Sequence, residues 1–321
     1  MTVRWGILGC GDVVRKRVAK AIQDDPNSEL LSVCRRDPDK LKQFAQDFEI
    51  NHAYALDEDL IADPNIDAVY ISTPVDLHLP QTIACAEAGK HVLVEKPMAM
   101  SVAECDQMID ACRENNVKLG VAYYRRFYPV VDRIKELIES GEIGKVLSVS
   151  AVTATAFAMS PGDDGYWRVL PDQGGGGALM DIGSHRINLF LDLFGAVDKV
   201  RAVCGTVAAD YDADDCAGVL MQFTSGIQGH VHCYFGVTFD PDEFSVVGTK
   251  GRLMTRTLNG GSLYIETVDG VAEEPHPPNP NFNSPLIADF VAAIAEDREP
   301  LVSGDEGRKT NAILELAYRD A

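Results

Sequence analysis

The chain opens on alternating blocks of apolar and amphipathic sequence. Residues 3–8, VRWGIL, form a mostly apolar run that stops at Gly9-Cys10-Gly11-Asp12-Val13-Val14 and leads into an amphipathic stretch over 15–22. Apolar runs recur at 30–34, 68–72, 91–95 and 119–122, separated by helix-period stretches at 38–48, 77–88 and 102–115. Short apolar runs alternating with helices predict buried parallel strands joined by right-handed crossovers, a doubly wound sheet. In such a sheet, ligands sit outside the carboxyl ends of the strands.

Beyond residue 123 the pattern changes. A helix over 130–140 precedes a β-rich run at 146–155, and glycines at 174–177 introduce a helix over 179–194. Short alternating runs follow at 200–208, 218–223, 229–235, 244–248, 252–257 and 262–268. Turns such as Thr224-Ser225-Gly226 and Asn259-Gly260-Gly261 separate several of them, which predicts a mostly antiparallel meander with one face on helices and the other open. After an irregular Pro- and Asn-rich stretch at 275–283, Ser284 and Pro285 fit the N-cap and first position of a helix to 295, and a last helix covers 305–319. The predicted fold is α/β. A Rossmann doubly wound parallel sheet spans 1–123, and an α+β domain with a large open, mostly antiparallel sheet spans 124–321. That open face predicts a homo-oligomer, a dimer or tetramer, assembled through it.

Composition narrows the class. A length of 321 residues fits two domains, and no apolar run approaches the roughly 20 residues of a membrane helix. A strand follows Met1 almost at once, so no leader is expected. The 29 basic and 49 acidic side chains leave a formal charge of −20, which disfavours nucleic acid and anionic membrane as partners. Eight scattered cysteines without a Cys-x-x-Cys pair fit reduced thiols in the cytoplasm. Against this acidic background residues 15–20 read RKRVAK, and such a basic cluster predicts a specific anion nearby.

Strand, glycine turn and helix together are the setting that a dinucleotide fingerprint requires. Gly9 permits the tight turn, and Gly11 lets the backbone approach a pyrophosphate at the helix start. Cys10, Asp12 and Val13 complete the cradle, while Val14 replaces the usual small third residue and implies wider helix–strand packing. Ser72-Thr73-Pro74 and Glu95-Lys96-Pro97 fall at the ends of two further strands, with His78 at a helix start beyond the first; all are candidate cofactor contacts. The second strand ends Cys34-Arg35-Arg36, without the acid that binds ribose hydroxyls in NAD readers. Arg35, aided by Arg36 or by Arg15 and Arg17, would hold a 2′-phosphate through charge-assisted hydrogen bonds. NADP(H) is therefore preferred, with NAD(H), served by Asp37, as the alternative.

Farther on, the four glycines at 174–177 run towards Asp181 and His185. On a helix these two share a face, and the glycines read as a loop flexible enough to admit a ligand. Tyr123 and Arg126, at the handover between domains, and the aromatic–guanidinium pair Trp167-Arg168 are candidate substrate contacts. His230 and His232 point the same way on a strand, but no further ligand joins them, so no metal is expected.

Three separated motifs coincide: Gly-x-Gly-x-x-Val at the start, Glu95-Lys96-Pro97 after GKHVLV, and GGGxLxDxGxH over 175–185. Together they resemble the glucose–fructose oxidoreductase/inositol dehydrogenase/MocA-type family, across essentially the whole chain. The resemblance implies a pyridine-nucleotide dehydrogenase or reductase acting on a sugar, polyol or similar substrate. It implies that Lys96 lies near the nicotinamide and the reacting oxygen, and that Lys96-Pro97 is cis. It also implies that Asp181 and His185 contact substrate and help transfer the proton, as the substrate-side half of a site shared with Lys96. Asn188 stands where relatives commonly carry Asp. Hydride transfer leaves the protein one proton to manage, for which Lys96 and His185 compete. Two other readings use the same motifs: an enzyme that cleaves or eliminates through transient oxidation by bound cofactor, and a cofactor-binding sensor without catalysis. The intact Lys96, Asp181 and His185 speak against the sensor.

Overall fold

The computed structural model describes residues 1–321, and the chain divides into two units. Residues 1–124 and 281–308 form the first, and residues 125–280 and 309–321 the second. No helix is long and apolar enough to cross a membrane.

In the first unit, strands β1 (Val3–Leu8), β2 (Ser28–Cys34), β3 (His52–Tyr54), β4 (Ala68–Ile71), β5 (His91–Val94) and β6 (Leu119–Val121) form one parallel sheet in the order β3-β2-β1-β4-β5-β6. Helices α1 (Ala19–Asp24), α2 (Pro38–Asp47), α3 (Asp57–Ile61), α4 (His78–Glu87) and α5 (Val102–Glu114) connect the strands. Strand order reverses between β1 and β4, which puts the ligand crevice at their carboxyl ends. Every residue of β4 is buried, as in a parallel strand covered on both faces. The first helix opens with a π-helical turn, Val14–Val18, where Val14 replaces the usual small residue.

The expected boundary at 123/124 lies one residue from the first crossing at 124/125, but residues 281–308 return to the first unit. The Phe290 ring, on the helix Ser284–Ala295, lies 5.6 Å from that of Trp5. Val121 N donates to Val302 O at 2.9 Å, and Arg308 clasps Asp106 at 2.5 and 3.0 Å. An apolar helix carries the same pattern whichever sheet it covers, so its sequence cannot assign it. Its cap is Asn283, one position before the expected Ser284.

The second unit holds α6 (Pro129–Glu139), α7 (Pro171–Gly174), α8 (Ser184–Phe194) and an eight-stranded sheet. Its strands are β7 (Val146–Thr155), β8 (Val197–Gly205), β9 (Cys216–Phe223), β10 (Gln228–Phe235), β11 (Asp242–Gly248), β12 (Gly251–Thr255), β13 (Ser262–Thr267) and β14 (Gly270–Pro275). The order β14-β13-β12-β11-β7-β10-β9-β8 is mostly antiparallel, as expected, with one parallel pair inside it. β7 enters at the centre, pairs in parallel with β10, and carries one antiparallel meander on each side. Val219, Met221, Val231, Cys233, Phe244 and Val246 point inward, while Leu220, His232 and Glu243 face out. α8 packs on the inner face through Phe190 on Phe244 and Phe194 on Phe223, both at 5.6 Å. A buried Arg186–Asp242 ion pair ties the same helix to β11, and the other Asp242 oxygen accepts from Asn259 N at 2.8 Å.

Candidate active site

The first unit brings the nucleotide candidates to one edge. Gly9 ends β1 with φ +87°, and a Cβ there would lie 2.6 Å from Ser72 O, so only glycine fits. Gly9 N donates to Cys34 O at 3.1 Å and Gly11 N to Gly9 O at 2.9 Å, closing the turn. A Cβ on Gly11 would meet nothing within 4 Å, so the turn is open on that side. Cys10, within the turn, donates to Cys34 O at 3.4 Å, and burial pushes its thiol up to about 12, far from a reactive thiolate. Val14 is fully buried, whereas Asp12 is exposed and pairs with Lys16 at 2.7 Å.

The basic cluster at 15–20 is shared out among separate protein partners. Arg15 pairs with Asp47 and stacks on Phe44, Lys16 meets Asp12, and Lys20 meets Asp24. Arg17 stacks on Tyr124, its guanidinium 4.9 Å from the ring centre. The helix turns these charges in different directions, and each finds its own partner. Arg35 differs: its guanidinium donates to the carbonyl of Cys10, over the glycine turn. Arg36 is exposed beside it. Asp37 caps α2, accepting from Asp39 N at 3.1 Å and Lys40 N at 3.0 Å, so its carboxylate serves the helix.

Lys96 follows the last residue of β5 by two positions and is half-buried. The Glu95 carboxylate accepts from Tyr70 Oη at 2.7 Å and from Lys96 N at 3.2 Å, and Lys96-Pro97 is cis. His78 is 1% exposed, so it has no room for the direct cofactor contact expected of it. Its ring instead meets main-chain carbonyls: Nε2 lies 3.0 Å from Thr73 O, and Nδ1 lies 3.2 Å from both Pro97 O and Met98 O. Burial holds its pKa below the usual histidine value. His78 thus ties the turn after β4 to the Lys96 turn. Thr73 Oγ1 also bonds Gln81 Oε1 at 2.6 Å, Gln81 Nε2 donates to Asp57 Oδ2 at 2.6 Å, and Asp57 Oδ1 accepts from Cys34 Sγ at 3.3 Å. No motif or spacing in the sequence marks Tyr70, Asp57 or Gln81. The visible signal for Tyr70 is a hydroxyl in the otherwise apolar strand AVYI.

In the second unit, Asp181 lies in a π-helical turn, Leu179–Gly183, closed by Ser184 N on Leu179 O. His185 is 5% exposed near the start of α8. Arg168 Nε lies 3.8 Å from Asp181 Oδ2, and its guanidinium sits 4.5 Å over the Trp167 ring, so these three candidates come together. Arg126 is buried and pairs with Asp192 at 2.5 Å. Tyr123 is 1% exposed and belongs to the first unit. Asn188 is buried and donates to Thr310 Oγ1 at 3.0 Å.

Three of the four glycines are closely packed, and the fourth takes a positive φ. Gly175 has φ +78°, and a Cβ on Gly174 would lie 2.8 Å from Trp167 O. Cβ atoms on Gly176 and Gly177 would strike the Tyr318 hydroxyl and the Asp214 main chain. His230 and His232 lie on the outer face of β10, and no group of three or more His, Cys, Asp or Glu side chains could hold a metal ion.

An oxidoreductase family model with an NAD-binding Rossmann fold matches residues 3–123, and the GFO/IDH/MocA C-terminal domain model matches residues 131–254. The protein is an NAD(P)-dependent oxidoreductase. The chain belongs to the Gfo/Idh/MocA family. It is similar to the 1,5-anhydro-D-fructose reductase of Ensifer adhaerens, 30% identical over 95% of this chain and 92% of that protein. It is also similar to D-xylose 1-dehydrogenase (NADP(+)) 2 of Haloferax volcanii, 30% identical over 99% and 97%. Among solved structures, the aldose–aldose oxidoreductase from Caulobacter crescentus, complexed with glycerol, matches with a TM-score of 0.91 at 29% identity, over 100% of this chain and 98% of that one.

Proposed function

We propose that the protein transfers hydride between NADP(H) and a hydroxyl, ketone or aldehyde of a sugar, polyol or related carbohydrate, with NAD(H) as the poorer cofactor. The observation that carries this reading is the open Gly11 turn and the Lys96 turn at the carboxyl edge of one sheet, in a unit whose strand order reverses there. The turn from Gly9 to Val14 would hold the pyrophosphate, Ser72, Thr73 and Pro74 would line its far side, and Arg35 would meet the 2′-phosphate. Asp37 supports NADP(H), because its carboxylate already caps α2. The carbohydrate class is supported by relatives whose names specify anhydrofructose and xylose.

Bound there, the nicotinamide supplies or accepts the hydride. The Lys96 ammonium offsets the negative charge that develops on a reacting carbonyl oxygen. Lys96 or His185 exchanges the proton, and Asp181 orients His185 or binds a sugar hydroxyl, with Arg168 and Trp167 beside it. The solvent-facing side of the eight-stranded sheet supports a homo-oligomer, and eight free cysteines support the cytoplasm.

Nicotinamide absorbance, followed against ketoses, aldoses, inositols and anhydrosugars, tests the reading. Net NADPH turnover supports it, whereas product without net cofactor change identifies the transient-oxidation alternative. Lys96→Met should lower turnover at least ~10²-fold, and wild-type rates reject its role. Arg35→Asp should weaken NADPH by roughly tenfold or more and NADH little, given about 1.5–3 kcal/mol per charge-assisted bond. Equal losses reject the 2′-phosphate assignment.

A further inference from the structure

The helix that carries Asp181 and His185 starts without a local cap. Residues 174–178 are four glycines and an alanine, whose side chains accept no hydrogen bond, although the first N–H groups of a helix have no partner within it. They are met from elsewhere in the second unit. Asp214 Oδ1 accepts from Gly177 N, Oδ2 accepts from Leu179 N, and the Asp214 main-chain oxygen accepts from Ala178 N, each at 2.8 Å. Met180 N donates to the Tyr318 hydroxyl at 3.1 Å, and that hydroxyl donates to Asp214 Oδ1 at 2.7 Å. Asp181 N in turn donates to Gly177 O at 2.9 Å. One residue, Gly177, therefore links the buried carboxylate to Asp181.

Asp214 is 7% exposed. Burial raises its carboxyl above the usual range, while the surrounding donors pull the other way. Burial, together with the charge of Asp214, raises the Tyr318 phenol well above its ordinary value. Gly176 and Gly177 are the residues that let Tyr318 and Asp214 approach so closely. The neighbouring Asp215 accepts from Val207, Ala208 and Ala209 N at 2.7–2.8 Å. The two adjacent carboxylates thus serve separate segments.

We propose that Asp214 and Tyr318 are positioning residues: a long-range cap that fixes the turn from which Asp181 and His185 act. The proposal rests on the assignment of those two residues to the substrate. Tyr318→Phe keeps the ring and removes both hydroxyl bonds. It should lower kcat roughly tenfold, shift the pH–rate profile, and leave NADPH binding within about twofold of wild type. In a His185→Ala background the same change should alter kcat by less than about twofold, because its effect passes through that segment. Equal factors in both backgrounds overturn the positioning role, as does an unchanged kcat with only a lower melting temperature. His185→Ala at the wild-type rate overturns the catalytic assignment as well, a result read from that single variant. Asp214→Asn carries the same cycle if Tyr318→Phe does not fold.

Discussion

Both units place glycines just ahead of a helix, and the comparison separates two uses of the same residue. At 9–11 the chain turns once, held by Cys34 O and by the approach to Ser72, and then opens beside Gly11. Val13 offers that helix no capping side chain. At 174–177 the glycines also precede a helix with no local cap, but Asp214 and Tyr318 fill the space and take its N–H groups. A glycine run therefore reports close approach by something. Whether that partner is a ligand or the protein itself depends on where the helix-start donors find acceptors.

The largest effect should come from filling the closed run. Gly177→Ala drives a methyl group into the Asp214 main chain and should cost about 3 kcal/mol, roughly 6–12 °C in melting temperature. A melting temperature within about 1 °C of wild type would break the comparison. Gly11→Ala fills open space, so its melting temperature should stay put while NADPH binding weakens roughly tenfold, about 1.4 kcal/mol. A large stability loss would mean that the turn is not open, and unchanged binding that the cofactor keeps away from it. The smallest effect serves as a control on the second unit, away from its glycines. Arg133 and His276 hold the Glu274 carboxyl down to about 2 from an ordinary 4.5. Its folded value lies below its unfolded one, so its contribution is complete above pH 4.5 and disappears as pH falls towards 2. Arg133→Ala should flatten that acid dependence of melting slightly, without changing kcat at neutral pH.

The first unit was largely legible because its information is local. Each strand announces itself as an apolar run, and each candidate at 9–14, 34–36, 72–74 and 95–97 lies just past one. The bonds Tyr70–Glu95 and Gln81–Asp57 join residues 24–25 apart, and no spacing in the sequence marks them. The second unit hid more. Nothing in VLSVSAVTAT says that β7 takes the centre of the sheet. The missing cap before Asp181 was visible as GGGGA, yet its partners lie 35–138 residues farther along.

The return of residues 281–308 to the first unit has a consequence for biosynthesis. The chain passes between units at 124/125, 280/281 and 308/309, so the nucleotide unit is not one continuous segment. A ribosome that has released the first 124 residues has made all six strands, but neither Phe290 to cover Trp5 nor Arg308 to clasp Asp106. Domains that fold as units during synthesis generally do so in order from the N-terminus. Here residues 125–280 of the second unit are made before the first unit is complete, and the first sheet waits, partly uncovered, until residues 281–308 follow.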